Sequence, residues 1–233
     1  LFFIFFGFFL LVFHPIQIIA KNLIGPKTHD KVVALLNLCL MRSQLILGAT
    51  FKFVNFKTLP THKPVIIIAN HQSMWDIPPL IWKYRRNRLK FIAKKELAKG
   101  IPSISYNLKH AGSVTIDRKN PSESIELIRK FARELNNKKL AVCIFPEGSR
   151  SRNGKVKPFK TGGLKALIEQ MPNALIVPIA ISGTGKIDNH GSFLLNLGVK
   201  VTFTALKPRQ INIECVESEL DLIRSEIVGF VQQ

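Results

Sequence analysis

The chain has 233 residues and a formal charge of +19, from 34 Lys and Arg against 15 Asp and Glu, and 46% of its residues are hydrophobic. This length fits one good-sized domain with room for a small appendage. The excess positive charge points to a polyanionic partner, and the high apolar content favours an anionic membrane surface or phosphorylated substrates over nucleic acid. Aromatic residues are not interleaved with the basic ones, as a base-stacking surface would need, so we expect no nucleic-acid partner.

The three cysteines, Cys39, Cys143 and Cys215, are scattered without CxxC spacing. We therefore expect reduced thiols and a domain that faces the cytosol. Neither an HExxH sequence nor a paired Cys/His pattern occurs, so the sequence predicts no metal site.

Residues 1–20 are apolar apart from His14 and Gln17, and the run closes at Lys21. That is about the ~20 residues that a helix needs to span a bilayer. Three interpretations compete: a spanning helix, a helix inserted into one leaflet, or a signal peptide, which is disfavoured because no small-residue cleavage site follows. We favour a membrane anchor over a buried soluble helix. Because the sequence opens without a methionine, we expect a fragment or a processed product.

A second helical pattern covers residues 28–50, after a break at Gly25-Pro26. Apolar residues cover most of its surface, so it is either a core helix or a second membrane-embedded helix that forms a hairpin with the first. In the second case its Lys and Arg side chains would reach the lipid headgroups. We accordingly divide the chain into a hydrophobic two-helix membrane anchor, residues 1–50, and a catalytic domain, residues 51–233.

Beyond residue 50, short β-like runs alternate with helical stretches. A brief strand precedes the turn at Pro60 and Pro64, and further strands are predicted at 64–69, 89–93, 113–116, 140–145, 175–181 and 198–204. Helices are predicted at about 74–86, 95–109, 121–138, 161–171 and 216–232. This alternation predicts an α/β fold with a mixed, largely parallel sheet flanked by helices.

The stretch PVIIIANHQSMWDIPPL, residues 64–80, carries a polar cluster at the end of its apolar run. Ends of strands in α/β folds are where ligands and catalytic groups tend to lie. His71 and Asp76 could form a general base held in one tautomer, although a lone H-x4-D pair also occurs by chance. Ser73 lacks a G-x-S-x-G context, which favours a helix cap or a polar supporter over a nucleophile.

Other polar clusters follow later strands in the same way. In FPEGSRSRNGKVKPFKTGG, residues 145–163, proline and glycine force a tight turn that projects polar side chains over the sheet edge: Glu147, Ser149 and Arg150. An arginine there can hold a phosphate through two parallel hydrogen bonds, and a solvated basic loop is the alternative. Lys94 follows LKFIA and Arg118 follows SVTI, whereas VPIAISGTG, residues 177–185, is mostly core strand.

Together these clusters resemble the glycerolipid acyltransferase family, most closely its 1-acylglycerol-3-phosphate acyltransferases. Four blocks match in order, NHQSMWD, GSVTIDR, FPEGSRS and VPIAISG. The resemblance covers about residues 50–205, and the N-terminal hydrophobic hairpin also fits the bacterial-type members. Ser149 departs from the commoner threonine and keeps the hydroxyl.

The resemblance implies transfer of a fatty acyl group from acyl-CoA or acyl-carrier protein to the sn-2 hydroxyl of 1-acylglycerol 3-phosphate, giving phosphatidic acid in phospholipid biosynthesis. It implies that His71 is the general base and that Asp76 orients the imidazole. It further implies that the acceptor phosphate is bound by Arg150, Arg118 and Lys94. Supporting roles fall to Asn70, Ser73, Glu147, Gly148 and Ser149.

The implied partners are a lysophospholipid acceptor, an acyl-thioester donor and an anionic membrane surface, with no cofactor besides the acyl-CoA or acyl-carrier protein co-substrate. The implied location is a membrane of the bacterial inner-membrane type, with the catalytic domain facing the cytoplasm. The same chemistry on glycerol 3-phosphate or another lysolipid is the alternative, and the preferred acyl-chain length stays open.

Overall fold

The computed structural model of the chain describes residues 1–117, 119–151, 153–189, 194–211 and 213–231. Within these residues the strands are β1 Thr50–Val54, β2 Val65–Ala69, β3 Lys90–Lys94, β4 Val114–Ile116, β5 Ala141–Ile144, β6 Leu175–Ser182 and β7 Lys200–Ala205. They form one sheet in the order β1-β7-β6-β2-β5-β3-β4. Strands β6, β2, β5, β3 and β4 run parallel, β7 is antiparallel to β6, and β1 is parallel to β7. The predicted mixed, largely parallel sheet is confirmed.

The described helices are α1 Phe2–Ile19, α2 Pro26–Ser43, α3 Ile77–Lys83, α4 Ile104–His110, α5 Pro121–Lys138, α6 Thr161–Gln170, α7 Thr184–Ile187 and α8 Val216–Val231. Helices cover both faces of the sheet, and the central strand β2 is fully buried. Its side chains alternate between two cores: Ile66 and Ile68 pack with α5, α6 and α8, and Ile67 packs on the face covered by α2 and α3. A strand buried on both faces reads as a continuous apolar run, which is why β2 was recognisable.

The predicted helix at 95–109 is wrong as one continuous helix. A short 3-10 turn covers Lys95–Ala98, and α4 begins only at Ile104. The chain between them bends at Gly100, whose φ is +83°, and at Pro102, which cannot continue the hydrogen-bonding pattern of a preceding helix. The second helical pattern ends early for a related reason, because α2 gives way at Ser43 to a 3-10 turn that closes on a left-handed Gly48.

Helix α1 continues into a π-helical turn, and the segment Phe2–Ile24 is the one helix in the described part of the chain that is long and apolar enough to cross a membrane by length and composition. One side of α1 packs through Leu10 and Phe13 against Leu36 and Leu40 of α2. The other side leaves large apolar side chains exposed: Phe3, Ile4, Phe5, Phe8, Leu11, Ile16 and Ile19. A helix with one packed side and one exposed apolar side fits membrane association.

Helix α2 is tied to the globular body. It packs against α3, and its Asp30 lies 2.5 Å from Nε of Arg88 and 2.6 Å from Nζ of Lys90, at the start of β3. This packing fits the core-helix interpretation of α2, and the division of residues 1–50 into a two-helix membrane anchor stays a prediction.

The five parallel strands all end at the same edge of the sheet. The residues that follow Ala69, Lys94, Ile116, Ile144 and Ser182 therefore lie along one edge, although they are far apart in sequence. The segments that follow the adjacent strands β6, β2 and β5 are in direct contact there. This edge holds the polar clusters that the sequence singled out.

Candidate active site

Asn70 directly follows β2 and fixes the direction in which the chain leaves the sheet. Its side chain is 1% exposed, and its Nδ2 donates to the carbonyl oxygen of Ile181 at 2.8 Å while its Oδ1 accepts from the amide of Ile181 at 2.7 Å. These two bonds imitate one more pair of backbone hydrogen bonds between β2 and β6. The two bonds hold the chain where the next residue, His71, begins the turn, and a supporting role for Asn70 stays the prediction of the resemblance.

His71 and Asp76 are joined by a tight turn. Ser73 caps a 3-10 turn, Met74–Asp76, in a capping box: its hydroxyl accepts from the amide of Trp75, and its own amide donates to Asp76. The turn brings Oδ2 of Asp76 to 2.7 Å from Nδ1 of His71. With Nδ1 held there, Nε2 is the ring nitrogen that can take a proton from a substrate.

The Asp76 carboxylate is fully buried and surrounded by donors. Besides His71, its Oδ2 accepts from the amides of Gln72 at 2.8 Å and Ser73 at 3.0 Å. Asp76 is thus held in place by two backbone N–H groups, and its carboxylate lies where it can stabilise a neighbouring imidazolium. The imidazole of His71 also stacks on Phe145, with ring centroids 4.2 Å apart and an interplanar angle of 17°.

The loop after β5 forms hydrogen bonds with both backbone groups of His71, the amide and the carbonyl oxygen. Oε1 of Glu147 accepts from the His71 amide at 2.7 Å, and the amide of Ser151 donates to the His71 carbonyl oxygen at 2.8 Å. The other carboxylate oxygen of Glu147 accepts from the amide of Lys157 at 2.8 Å. Burial raises the pKa of Glu147, and the two amide donors oppose this shift. Glu147 is therefore a bridge between the two polar clusters.

The turn itself depends on Gly148, which has φ +72° and donates its amide to the carbonyl oxygen of Phe145 at 3.0 Å. After it, Ser149 and Arg150 are exposed. Nζ of Lys157 donates to the Ser149 hydroxyl at 3.0 Å and to the Arg150 carbonyl oxygen at 2.7 Å, which orders the backbone that carries the arginine.

Of the other two predicted phosphate ligands, Lys94 is described by the structure and Arg118 is not. Lys94 is the last residue of β3, is exposed, and lies at the same sheet edge as the histidine turn. Arg118 lies outside the described residues. Among the residues that are described, no group of three His, Cys, Asp or Glu side chains is arranged to hold a metal ion.

The fourth block contributes hydrogen bonds to the histidine turn that the sequence analysis did not predict. β6 is a core strand as predicted, but Thr184, two residues beyond its end, donates its hydroxyl to Oδ1 of Asp76. Four residues further on, Oδ2 of Asp188 accepts from the Ser73 hydroxyl at 2.8 Å. Polar residues just after a buried strand were the signal used for the other clusters, and GTG after VPIAIS carried the same signal.

Helix α1 also reaches this edge. Trp75, next to Asp76, is 3% exposed because Phe2 and Phe6 pack edge-on against it, with ring centroids 5.3 and 5.5 Å away. The apolar helix therefore begins in contact with the turn that carries His71 and Asp76.

The fold and this edge define an α/β protein with a histidine–carboxylate pair, a basic loop beside it and an apolar N-terminal helix. The model of the family described as Acyltransferase matches residues 50–182, which is more than half of the chain and includes both clusters. The chain belongs to the acyltransferase family.

Curated relatives bear out this assignment. The chain is 40% identical over 120 residues to a 1-acyl-sn-glycerol-3-phosphate acyltransferase of Cocos nucifera, covering 51% of this chain and 37% of that protein. It is 31% identical over 150 residues to the human 1-acyl-sn-glycerol-3-phosphate acyltransferase alpha, covering 64% and 51%. The chain thus spans between about a third and a half of these relatives' length.

A solved structure shares the whole fold. The crystal structure of the 1-acyl-sn-glycerophosphate (LPA) acyltransferase PlsC from Thermotoga maritima matches with a TM-score of 0.72 and 21% identity, covering 97% of this chain and 96% of that one. The match includes the N-terminal helices as well as the sheet.

Proposed function

We propose that the chain transfers a fatty acyl group from an acyl thioester, acyl-CoA or acyl-carrier protein, to the sn-2 hydroxyl of 1-acylglycerol 3-phosphate, giving phosphatidic acid. The observation that carries the proposal is the His71–Asp76 hydrogen bond at the sheet edge that also holds the Arg150 loop. The names of the curated relatives support the acceptor.

In this mechanism Nε2 of His71 takes the proton of the acceptor hydroxyl as its oxygen attacks the thioester carbonyl carbon. Asp76 stabilises the imidazolium that forms. The tetrahedral intermediate then collapses, the carbon–sulfur bond breaks, and the leaving sulfur takes the proton from His71 to give the free thiol. No acyl-enzyme forms, because the hydroxyl attacks the thioester directly.

The acceptor phosphate would be bound by Arg150, with Arg118 and Lys94 as further ligands. The guanidinium of Arg150 suits this role because it can form two parallel hydrogen bonds to a phosphate. The Lys157 bonds to Ser149 and Arg150 support it by ordering the loop. The net charge of +19 suits a surface that meets anionic lipid and anionic substrates.

We further propose that the protein lies on a membrane of the bacterial inner-membrane type, with the sheet domain on the cytoplasmic side. The exposed apolar side of α1 supports the membrane location. A membrane-impermeant thiol reagent applied to one side of sealed vesicles would test this orientation, by whether it modifies the exposed Cys215 from that side.

The decisive experiment is a matrix of donors and acceptors with the purified protein in nanodiscs, read by release of free thiol. We expect release only when an acyl thioester and 1-acylglycerol 3-phosphate are both present, and its loss in His71→Ala. Full activity of His71→Ala would refute the mechanism. Greater activity on glycerol 3-phosphate or on another lysolipid would move the proposal to that acceptor.

A further inference from the structure

Thr184 lies next to the histidine turn, residues 71–76, and its position depends on the glycine that precedes it. It follows Gly183, whose φ is +89° and where a Cβ would lie 2.2 Å from the carbonyl oxygen of Lys200. Glycine is required there, and the turn it permits directs the next side chain into the protein. Thr184 is completely buried as a result.

The hydrogen bonds of the Asp76 carboxylate are unevenly distributed. Oδ2 accepts from His71, Gln72 and Ser73, whereas Oδ1 has Thr184 as its partner among the described residues. The Thr184 hydroxyl has one proton and two nearby acceptors. Oδ1 of Asp76 lies 2.5 Å away and Oε1 of Gln72 lies 3.3 Å away, so the proton goes to Asp76.

We propose that Thr184 is a positioning residue for the acyl-transfer reaction. Its hydroxyl fixes the rotation of the Asp76 carboxylate, so that Oδ2 stays directed at Nδ1 of His71 and Nε2 stays directed at the acceptor hydroxyl. Without that hydroxyl, Oδ1 becomes a buried carboxylate oxygen without a donor, and the carboxylate gains by turning toward other polar groups. The inference rests on the proposed function.

A second buried bond supports the same role for this segment. Ser73, which caps the histidine turn, donates to Asp188 at 2.8 Å, four residues after Thr184. The short helix α7 is thus bound to the histidine turn near both of its ends, at Asp76 and at Ser73. A four-residue helix has little stability of its own. The two hydrogen bonds therefore fix α7 and the histidine turn relative to each other.

The test compares three variants in nanodiscs. Thr184→Val keeps the shape and removes the hydroxyl, Thr184→Ser keeps the hydroxyl, and Thr204→Val removes a buried threonine hydroxyl of β7 away from the histidine turn. We expect Thr184→Val to lower kcat by about tenfold or more with unchanged KM for donor and acceptor, because a hydrogen bond to a buried charge is lost. Thr184→Ser should recover most of kcat, and Thr204→Val should keep it.

A second measurement does not depend on turnover. In protein labelled with 15N-histidine, the Nδ1 proton of His71 should give a downfield resonance, assigned by its absence in His71→Ala. We expect this resonance to shift and broaden in Thr184→Val and to persist in Thr184→Ser and Thr204→Val.

The outcomes separate the two proposals. If the unaltered protein releases no thiol with any acceptor, the proposed function fails, and the resonance still reports whether Thr184 orients the pair. If the unaltered protein is active and Thr184→Val has the same kcat and the same resonance, the positioning role is wrong. A loss in Thr184→Val that Thr184→Ser fails to recover, or that Thr204→Val shares, would also overturn it.

Discussion

Asp76→Asn removes the negative charge beside His71 and keeps the shape of the side chain. An asparagine oxygen in the Oδ2 position still accepts from the amides of Gln72 and Ser73, and its NH2 group then faces the Thr184 hydroxyl, which can turn to accept. We therefore expect the variant to fold, with a loss of about 1 kcal/mol in the free energy of unfolding.

The loss of activity should be much larger than the loss of stability. In the proposed mechanism His71 becomes a cation when it takes the acceptor proton, and its Nδ1 lies 2.7 Å from the nearest carboxylate oxygen. Two unit charges with centres about 4 Å apart interact by about 4 kcal/mol at an effective dielectric constant of about 20. Removing this interaction from the transition state lowers kcat by about a thousandfold.

The assay is thiol release under saturating donor and acceptor, with thermal unfolding measured on the same samples. Asp221→Asn, at an exposed aspartate of α8, is the matched control and should behave like the unaltered protein in both measurements. A kcat for Asp76→Asn within about tenfold of the unaltered protein would mean that the charge does not stabilise a histidine cation in the rate-limiting step.

Two further predictions concern stability. Gly183→Ala should lower the free energy of unfolding by about 2–3 kcal/mol or more, because its Cβ would meet the Lys200 carbonyl oxygen at 2.2 Å and its φ is +89°. Gly112→Ala is the control for the backbone contribution, since Gly112 has φ +76° and open space around it. An equal loss of stability in the two variants, measured by chemical denaturation, would contradict the clash. Burial lowers the pKa of His29 from 6.5 to about 4. Between pH 6.5 and 4 the unfolded chain therefore binds more protons than the folded one. The free energy of unfolding should fall as the pH drops through this range, by up to about 3 kcal/mol. His29→Phe should flatten this part of the curve of melting temperature against pH, and an unchanged curve would show that other groups cause the acid sensitivity.

Elements with strong local signals were predictable from the sequence. Helix α5 runs from Pro121 to Lys138, as predicted, because proline favours the first turn and apolar residues recur at helical spacing along its buried side. The strand before His71 was recognisable by its apolar run. The approach of His71 to Asp76 was predictable for the same reason, since five residues across one tight turn leave few arrangements.

Contacts between distant segments could not be predicted in this way. Asp76 and Thr184 are 108 residues apart, and nothing local to either one specifies that β6 lies beside β2. The reversal of direction between β6 and β7 is likewise a property of the assembled sheet. The break in the predicted helix at 95–109 is a different case, because it lies at Gly100 and Pro102, two helix breakers close together in the sequence.

The contact between α1 and Trp75 joins the apolar N-terminal helix to the turn that carries His71 and Asp76. The apolar N-terminus and the histidine cluster were recognised separately, as an anchor and as a candidate site. In the structure Phe2 and Phe6 pack on the residue next to Asp76, while neighbouring residues of the same helix, such as Ile4, stay exposed. If the exposed side of α1 lies in lipid, the histidine pair is held beside the bilayer surface, where the hydroxyl of a lysophospholipid can reach it while the acyl chain remains in the membrane. With α1 in lipid, this arrangement would suit the lipid acceptor of the proposed function better than a water-soluble one such as glycerol 3-phosphate.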